Sequence, residues 1–197
     1  DSDGEDDYSK INKILHITKK NKEINVVTVN RSTRKESLIF SILYEIHLII
    51  TFVLTFKYIR FGNYSYLSDN ALKSISKKNE LWLAYSASLE KYFKNKKIII
   101  AERKKRFIGK SKMNYLQLLI HSIKIHSVFL KRIFFNYILY SLLIIFIAKI
   151  KVINFVSPLF FTLMFIHILL LIYVNYFSSN TKFYNSLKNI KSIDLIK

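Results

Sequence analysis

Leu38–Phe56, LIFSILYEIHLIITFVLTF, is a run of 19 residues with one formal charge, at Glu45. As an α-helix it would be about 28 Å long, close to the roughly 30 Å hydrocarbon core of a bilayer. Two further runs follow, Ile133–Ala148 (IFFNYILYSLLIIFIA) and Ile153–Phe177 (INFVSPLFFTLMFIHILLLIYVNYF). All three are apolar around the whole helical circumference, which is typical of lipid-facing helices. The sequence therefore predicts an all-α integral membrane protein with three transmembrane helices.

The composition narrows the class of protein further. The chain has 197 residues, a formal net charge of +19 and 51% apolar or aromatic residues. Soluble and nucleic-acid-binding domains rarely combine these two values, whereas a membrane protein segregates its charges from its spans. The absence of cysteine excludes disulfides and thiolate metal sites, and the few glycines and prolines exclude turn-rich all-β folds. The first residue is Asp1 rather than Met, so we interpret the chain as a fragment or a processed product.

The positive charge is concentrated between the first two spans. Residues 57–132 carry 18 basic and 4 acidic side chains, and the positive-inside rule places such a segment in the cytosol. The N-terminal region would then be lumenal and partly disordered, and the C-terminal tail would be cytosolic. The predicted units are an N-terminal region (1–37), a first span (38–56), a basic cytosolic segment (57–132), a second span (133–149), a third span (152–177) and a tail (178–197).

The cytosolic segment contains few helix breakers, so residues 68–132 predict a long helix. Ser68 offers an N-cap, and Ser76–Asn79 is the best candidate for a bend. Five large apolar side chains follow a heptad spacing: Leu72, Ile75, Trp82, Leu89 and Phe93. This spacing favours a coiled-coil-like hairpin, with a single amphipathic helix on anionic lipid as the alternative. The basic cluster Arg103–Arg106 is interpreted first as a topology signal, and otherwise as a site for phosphate headgroups, RNA or an acidic protein face.

Polar side chains inside the spans are the other functional candidates. Glu45, His47, Asn136 and His167 could line an intramembrane polar groove, because a charge at mid-bilayer depth costs about 2.5–3.5 kcal/mol and needs a partner or water. For Glu45, a protonated carboxyl that bonds a neighbouring helix is an equal alternative. One carboxylate and scattered histidines form neither a zinc site nor an acid–base pair, and no phosphate-binding glycine loop occurs. We expect no enzymatic activity, no metal and no cofactor.

The stretch Glu80–Lys91, ELWLAYSASLEK, carries a family resemblance. An acidic and a large apolar residue precede an A-x-x-A-x-L-x-K pattern formed by Ala84, Ala87, Leu89 and Lys91. With the order of the spans, this pattern resembles the tryptophan-rich basic protein (WRB) family. Its members are coiled-coil membrane receptors of the tail-anchored-protein insertion (GET) pathway, within the YidC-like insertase superfamily. Lys91 stands where that family usually has an arginine.

The resemblance implies a receptor and insertase subunit of the endoplasmic-reticulum membrane. Its partners would be a targeting ATPase, a second, CAML-like receptor subunit, tail-anchored client helices and the lipid bilayer, with no nucleic acid. By similarity, the contacts with the ATPase fall at Trp82, Tyr85, Glu90 and Lys91. The first alternative is a multi-span, parasite-type trafficking or surface protein whose basic loop is a topology signal and binds lipid. The second is a channel or transporter subunit that uses Glu45 and His167.

Overall fold

A computed structural model describes residues 4–31, 38–102, 114–148 and 156–188, most of which are helical. The elements in chain order are α1 (Lys10–Lys20), β1 (Val26–Arg31), α2 (Leu38–Thr55), β2 (Phe61–Leu67), α3 (Asp69–Ile75), a 3-10 helix (Asn79–Trp82), α4 (Tyr85–Tyr92), β3 (Lys97–Ala101), α5 (Tyr115–Val128), α6 (Leu130–Ala148) and α7 (Val156–Lys188). The prediction of a mostly helical chain with three helices that could span a membrane is confirmed. The all-α assignment is wrong, because the three strands form a sheet.

Three helices are long and apolar enough to cross a membrane. The qualifying stretches are Leu38–Thr55, Leu130–Ile147 and Ser157–Phe177, with mean hydropathies of 2.1, 1.7 and 2.2. Packing between helices buries only a narrow stripe on each of them, so large apolar side chains such as Leu142 and Phe165 remain exposed. A contiguous exposed apolar surface of this kind is typical of a protein surrounded by lipid. The chain is thus compatible with a multi-pass membrane protein.

The sheet joins strands from both sides of α2 in the sequence. Its order is β2-β1-β3, with β1 antiparallel to β2 and parallel to β3. The valine-rich sequence of β1 favours a strand, and Val27 and Val29 pack against Ile14 of α1 and Ile99 of β3. β1 is therefore the central strand, and α1 covers one face of the sheet.

This pairing does not accord with residues 1–37 and 57–132 lying on opposite sides of a membrane. Val27 pairs with Tyr66 and Thr28 with Ser65, so the residues before and after α2 meet in one ladder. The N-terminal region also contains α1 and β1, so residues 10–20 and 26–31 are ordered rather than disordered. Residues 32–37 lie outside the described part of the chain.

The long helix predicted for residues 68–132 is wrong. α3 begins at the predicted N-cap, where the Ser68 hydroxyl accepts from the Ala71 N–H, but it ends before Ser76. The chain then forms the 3-10 helix, α4 and β3. β3 is a strand because the run Ile98–Ile100 is β-branched and fits a strand better than a helix. Leu72 and Trp82, two of the heptad positions, are exposed. No coiled-coil hairpin forms over residues 57–102, and Arg103–Arg106 lies outside the described residues.

The sheet, α1, α3, the 3-10 helix and α4 form a small α/β region. The four remaining helices form a bundle beside it. α5 starts with a capping box, in which Asn114 accepts from the Gln117 N–H and the Gln117 side chain accepts from the Asn114 N–H. α6 is tied to the end of α2, because Asn136 Nδ2 donates to the Leu54 carbonyl at 2.8 Å. In addition, Asn175 of α7 donates to the Ser127 carbonyl of α5. These contacts hold α2, α5, α6 and α7 around a shared cavity.

Candidate functional site

The cavity between α2, α5, α6 and α7 has a volume of about 660 Å³. Six of its lining residues come from α2, six from α5, two from α6 and five from α7. Most are leucine, isoleucine or aromatic side chains, so the wall is suited to hydrocarbon. Leu119 and Leu163 line it and are 58% and 57% exposed, which shows that the cavity opens to the surroundings.

A chain of polar side chains crosses the apolar wall of this cavity. His47 Nδ1 lies 3.4 Å from Thr51 Oγ1, which lies 3.0 Å from His126 Nε2. His126 Nδ1 lies 3.3 Å from His167 Nε2, and His167 Nδ1 lies 2.6 Å from the Tyr137 hydroxyl. The chain therefore runs through all four helices of the bundle without a break.

The hydrogen bonds in this chain can all be formed with neutral rings. If the Tyr137 hydroxyl donates to His167, then His167 Nε2–H donates to His126, and His126 Nε2–H donates to Thr51. Thr51 then donates to His47 Nδ1, and His126 and His167 each use one donor and one acceptor. Burial lowers the pKa of His126 to about 3, which agrees with a neutral ring at this position. The chain is a polar clasp that fixes the four helices.

Two of the four predicted groove residues belong to this clasp, and two do not. His47 and His167 lie in the cavity wall. Asn136 is buried, but its amide bonds the last turn of α2 and so satisfies a helix-end carbonyl. Glu45 faces away and forms a two-oxygen pair with Arg60 at 2.7 and 2.9 Å, with the Glu45 side chain 52% exposed.

Glu45 meets Arg60 because the chain reverses after α2. Phe56 has a φ of 52°, in the left-handed region that non-glycine residues seldom adopt, and its N–H bonds the Phe52 carbonyl. Residues 57–60 then return along the outside of α2 toward its middle. The placement of Glu45 in a groove of the bundle is therefore wrong.

The four predicted ATPase contacts lie on or beside α4, and most are engaged within the fold. Glu90 is buried and pairs with Lys57 at 3.2 Å and Lys96 at 2.5 Å. The Tyr85 hydroxyl lies 2.6 Å from Ser65 Oγ of β2. Of the four, Trp82 alone is classed as exposed, at 40%.

Lys91 is the fourth of these residues, and it joins three elements. Its ammonium donates to Glu80 Oε1 and to the Val128 carbonyl at the end of α5, both at 2.8 Å. Burial raises the pKa of Glu80, but the hydrogen bonds from Lys91 and Tyr92 outweigh it, so this pKa lies below its ordinary value. Burial and the bond to Glu80 raise the pKa of Tyr92 to about 12. Lys91 thus holds the α/β region against the bundle.

Within the described ranges, no three His, Cys, Asp or Glu side chains are arranged to hold a metal ion. The three histidines of the clasp are spread along a line rather than directed at one point. The chain matches no protein-family model, no curated protein and no solved structure. The geometry of the cavity and the sequence resemblance are therefore the two indications of function.

The sequence contained signals for the clasp residues that were not singled out. His126 and Ser122 recur at i and i+4 in an apolar stripe, a pattern that indicates a polar strip on a buried helix face. Tyr137 and Thr51 fall within apolar spans, and both carry hydroxyls that need partners when buried. Only the distances between helices show that these groups meet.

Proposed function

We propose that this chain is a membrane-embedded subunit of insertase type, which accommodates one apolar face of a client helix in its cavity. The observation that carries the proposal is the open, hydrocarbon-lined space of about 660 Å³ among helices apolar enough to cross a membrane. The family resemblance supplies the finer part of the proposal: tail-anchored clients, an endoplasmic-reticulum location and a second receptor subunit.

The size of the cavity limits how a client would sit in it. A 20-residue helix about 30 Å long and 10 Å across fills roughly 2,400 Å³, several times the volume of the cavity. A client would therefore place side chains from one face into the cavity, while its other face stays in lipid. Such a site lowers the cost of bringing a partly polar helix into the bilayer, because His47, His126 and His167 line the cavity and place imidazole groups beside the client.

The proposed docking of the targeting ATPase uses the face that carries Trp82. An exposed tryptophan supplies a large contact area at an interface, and it is the residue type most often found at binding hot spots. Glu90 and Lys91 would act indirectly, by keeping α4 and the 3-10 helix in place. Trp82→Ala is then expected to weaken capture of the ATPase at least tenfold, measured by pull-down with the full-length chain in detergent.

Site-specific photocrosslinking tests the client part of the proposal. A photoreactive residue at Leu119 or Leu163, which line the cavity, should crosslink a radiolabelled tail-anchored client during its insertion into membranes that contain the full chain. Leu142 and Ile172 are matched controls, since they are similarly exposed on α6 and α7 but do not line the cavity.

The pattern of crosslinks decides the outcome. Client adducts at Leu119 and Leu163 and few at Leu142 and Ile172 support the cavity as the client site. Equal adducts at all four positions, or adducts with lipid only, overturn it.

A second candidate function is a multi-span trafficking or surface protein whose basic segment binds lipid. The observation that favours it is the engagement of Glu90 and Lys91 in internal ion pairs, which removes them from an ATPase-docking surface. This alternative predicts that the full-length chain captures anionic vesicles and that Trp82→Ala changes no protein contact.

A further inference from the structure

A second, polar pocket of about 390 Å³ lies between the 3-10 helix and α7. Lys77, Lys78 and Glu80 line it from one side, and Asn175 and Tyr176 of α7 line it from the other. It is separate from the hydrocarbon-lined cavity, with which it shares no lining residue. The function proposed above does not use it.

The pocket lies at the level where a membrane would end. The apolar stretch of α7 that is long enough to cross a bilayer closes at Phe177, one residue after Tyr176. Tyr176 is exposed, and tyrosine is one of the residues enriched at headgroup depth. The groups that line the pocket would therefore face the headgroup layer rather than hydrocarbon or bulk water.

The charges around the pocket leave it net positive. Glu80 is paired with Lys91 at 2.8 Å, so its negative charge is compensated within the fold. Lys78 Nζ stands 5.1 Å from the centroid of the Tyr92 ring, a cation–π contact that holds the ammonium at the pocket. Lys77 is exposed and has no ion-pair partner among the described residues. Two ammonium groups, an amide and a phenol thus surround a polar space.

We propose that this pocket binds the phosphate-bearing headgroup of an anionic phospholipid. The two lysines would meet the phosphate oxygens, Asn175 and Tyr176 would hydrogen-bond the remainder of the headgroup, and the acyl chains would stay beside the apolar end of α7. Basic pockets next to transmembrane helices recognise anionic lipids by this combination of charge and depth. The bound lipid would hold the 3-10 helix against the apolar end of α7.

Native mass spectrometry of the full-length chain in detergent tests this site. Phosphatidylserine and phosphatidylcholine with the same acyl chains are titrated onto the protein, with Lys77→Gln/Lys78→Gln as the test variant. Lys19→Gln/Lys20→Gln is the matched control, because it removes two exposed lysines from α1, away from the pocket. We expect phosphatidylserine to bind preferentially, the pocket variant to lose roughly 30-fold in affinity, and the α1 variant to bind as the wild type does.

Three results overturn the proposal. They are equal affinity for the two lipids, an equal loss in both double variants, and displacement of phosphatidylserine by inorganic phosphate at similar concentration. The last result would identify a site for free phosphate. Equal thermal unfolding of the two variants shows that a loss of binding does not come from misfolding.

Discussion

His126 is the middle member of the polar clasp, since it contacts Thr51 of α2 on one side and His167 of α7 on the other. A residue in this position affects stability through its neighbours as much as through itself. Removing its ring leaves the His167 Nε2–H without its acceptor and removes one of the two hydrogen bonds of the buried Thr51 hydroxyl. An unsatisfied buried polar group costs about 1–3 kcal/mol.

His126→Leu should therefore destabilise the chain by several degrees in thermal unfolding, measured in detergent by circular dichroism. His126→Asn keeps one donor and one acceptor and should lose less. His16→Leu is the matched control, because His16 is exposed on α1. If His126→Leu and His16→Leu have the same melting temperature, the clasp does not stabilise the helix bundle.

Glu80 gives the fold a dependence on pH. Its pKa in the folded chain lies below the ordinary value, so the pair with Lys91 stabilises the fold above the ordinary pKa, and this stability is lost as the pH falls through the folded value. Glu80→Gln should cost less than about 1 kcal/mol at neutral pH, since the pair is partly exposed.

The difference in melting temperature between wild type and Glu80→Gln should shrink as the pH is lowered from 7 to about 3. Glu23→Gln, an exposed change beside β1, should show no such trend. A difference that stays constant with pH would contradict the pair as its cause.

At single positions, the sequence indicated which polar residues are unusual within an apolar run, but it did not predict which side chains they contact. His47 and His167 stood out because histidine is rare inside an apolar run, and both lie in the cavity wall. Glu45 stood out for the same reason, yet its partner Arg60 comes from a chain reversal that no local pattern encodes. Partners are set by tertiary geometry, so they could not be predicted from residue type.

Among the elements, the apolar helices were predictable and the sheet was not. α2, α6 and α7 are specified by long apolar runs, a signal that needs no knowledge of neighbours. β1 and β3 are only six and five residues long. They pair with each other although α2, β2, α3, the 3-10 helix and α4 separate them in the sequence. The runs VVTVNR and KIIIA are rich in β-branched residues, which was the available signal.

Engineered disulfides test the pairing of β1 with β2. The chain has no cysteine, so Val27→Cys/Tyr66→Cys and Thr28→Cys/Ser65→Cys introduce isolated pairs at directly opposed positions. Adjacent pairs of an antiparallel ladder alternate between closer and wider Cα spacing, so at least one of the two should oxidise readily. Val27→Cys/Asn63→Cys is the offset control. If both opposed pairs fail to oxidise, or if the offset pair oxidises equally well, the pairing of β1 with β2 is contradicted.

For the whole molecule, the sheet and the ion pair of Glu45 decide how α2 meets a membrane. If α2 crossed the bilayer, β1 would have to leave the sheet, and exposing its buried Val26, Val27 and Val29 costs roughly 5–9 kcal/mol. The pair of Glu45 with Arg60 would also sit near mid-bilayer depth, at about 2.5–3.5 kcal/mol for a charge. Both free-energy costs favour a placement in which α2 enters the lipid without crossing it, so that its two ends stay on one side of the membrane.

The alternative path for the chain is also unfavourable. From Arg31 to Leu38 there are seven residue steps, which reach at most about 25 Å when fully extended, while α2 is about 27 Å long. A stretch that kept β1 in the sheet and α2 across the bilayer would fall short of this length even when fully extended, and its backbone would be unpaired in lipid, which lipid does not tolerate. α6 and α7 carry no such constraint, and we expect these two helices to cross.

Single cysteines and a membrane-impermeant thiol reagent measure this topology in sealed vesicles. Lys19→Cys, Asn63→Cys and Lys131→Cys are all at exposed positions, and we expect all three to react from the same side. Asn154→Cys, between α6 and α7, should react only from the other side. Labelling of Lys19→Cys opposite to Asn63→Cys would show instead that α2 crosses and that β1 pairs with neither neighbour in the membrane. The two opposed cysteine pairs would then also fail to oxidise. The labelling and the disulfide experiments therefore test the same feature, the β1–β2 pairing that connects the residues before and after α2.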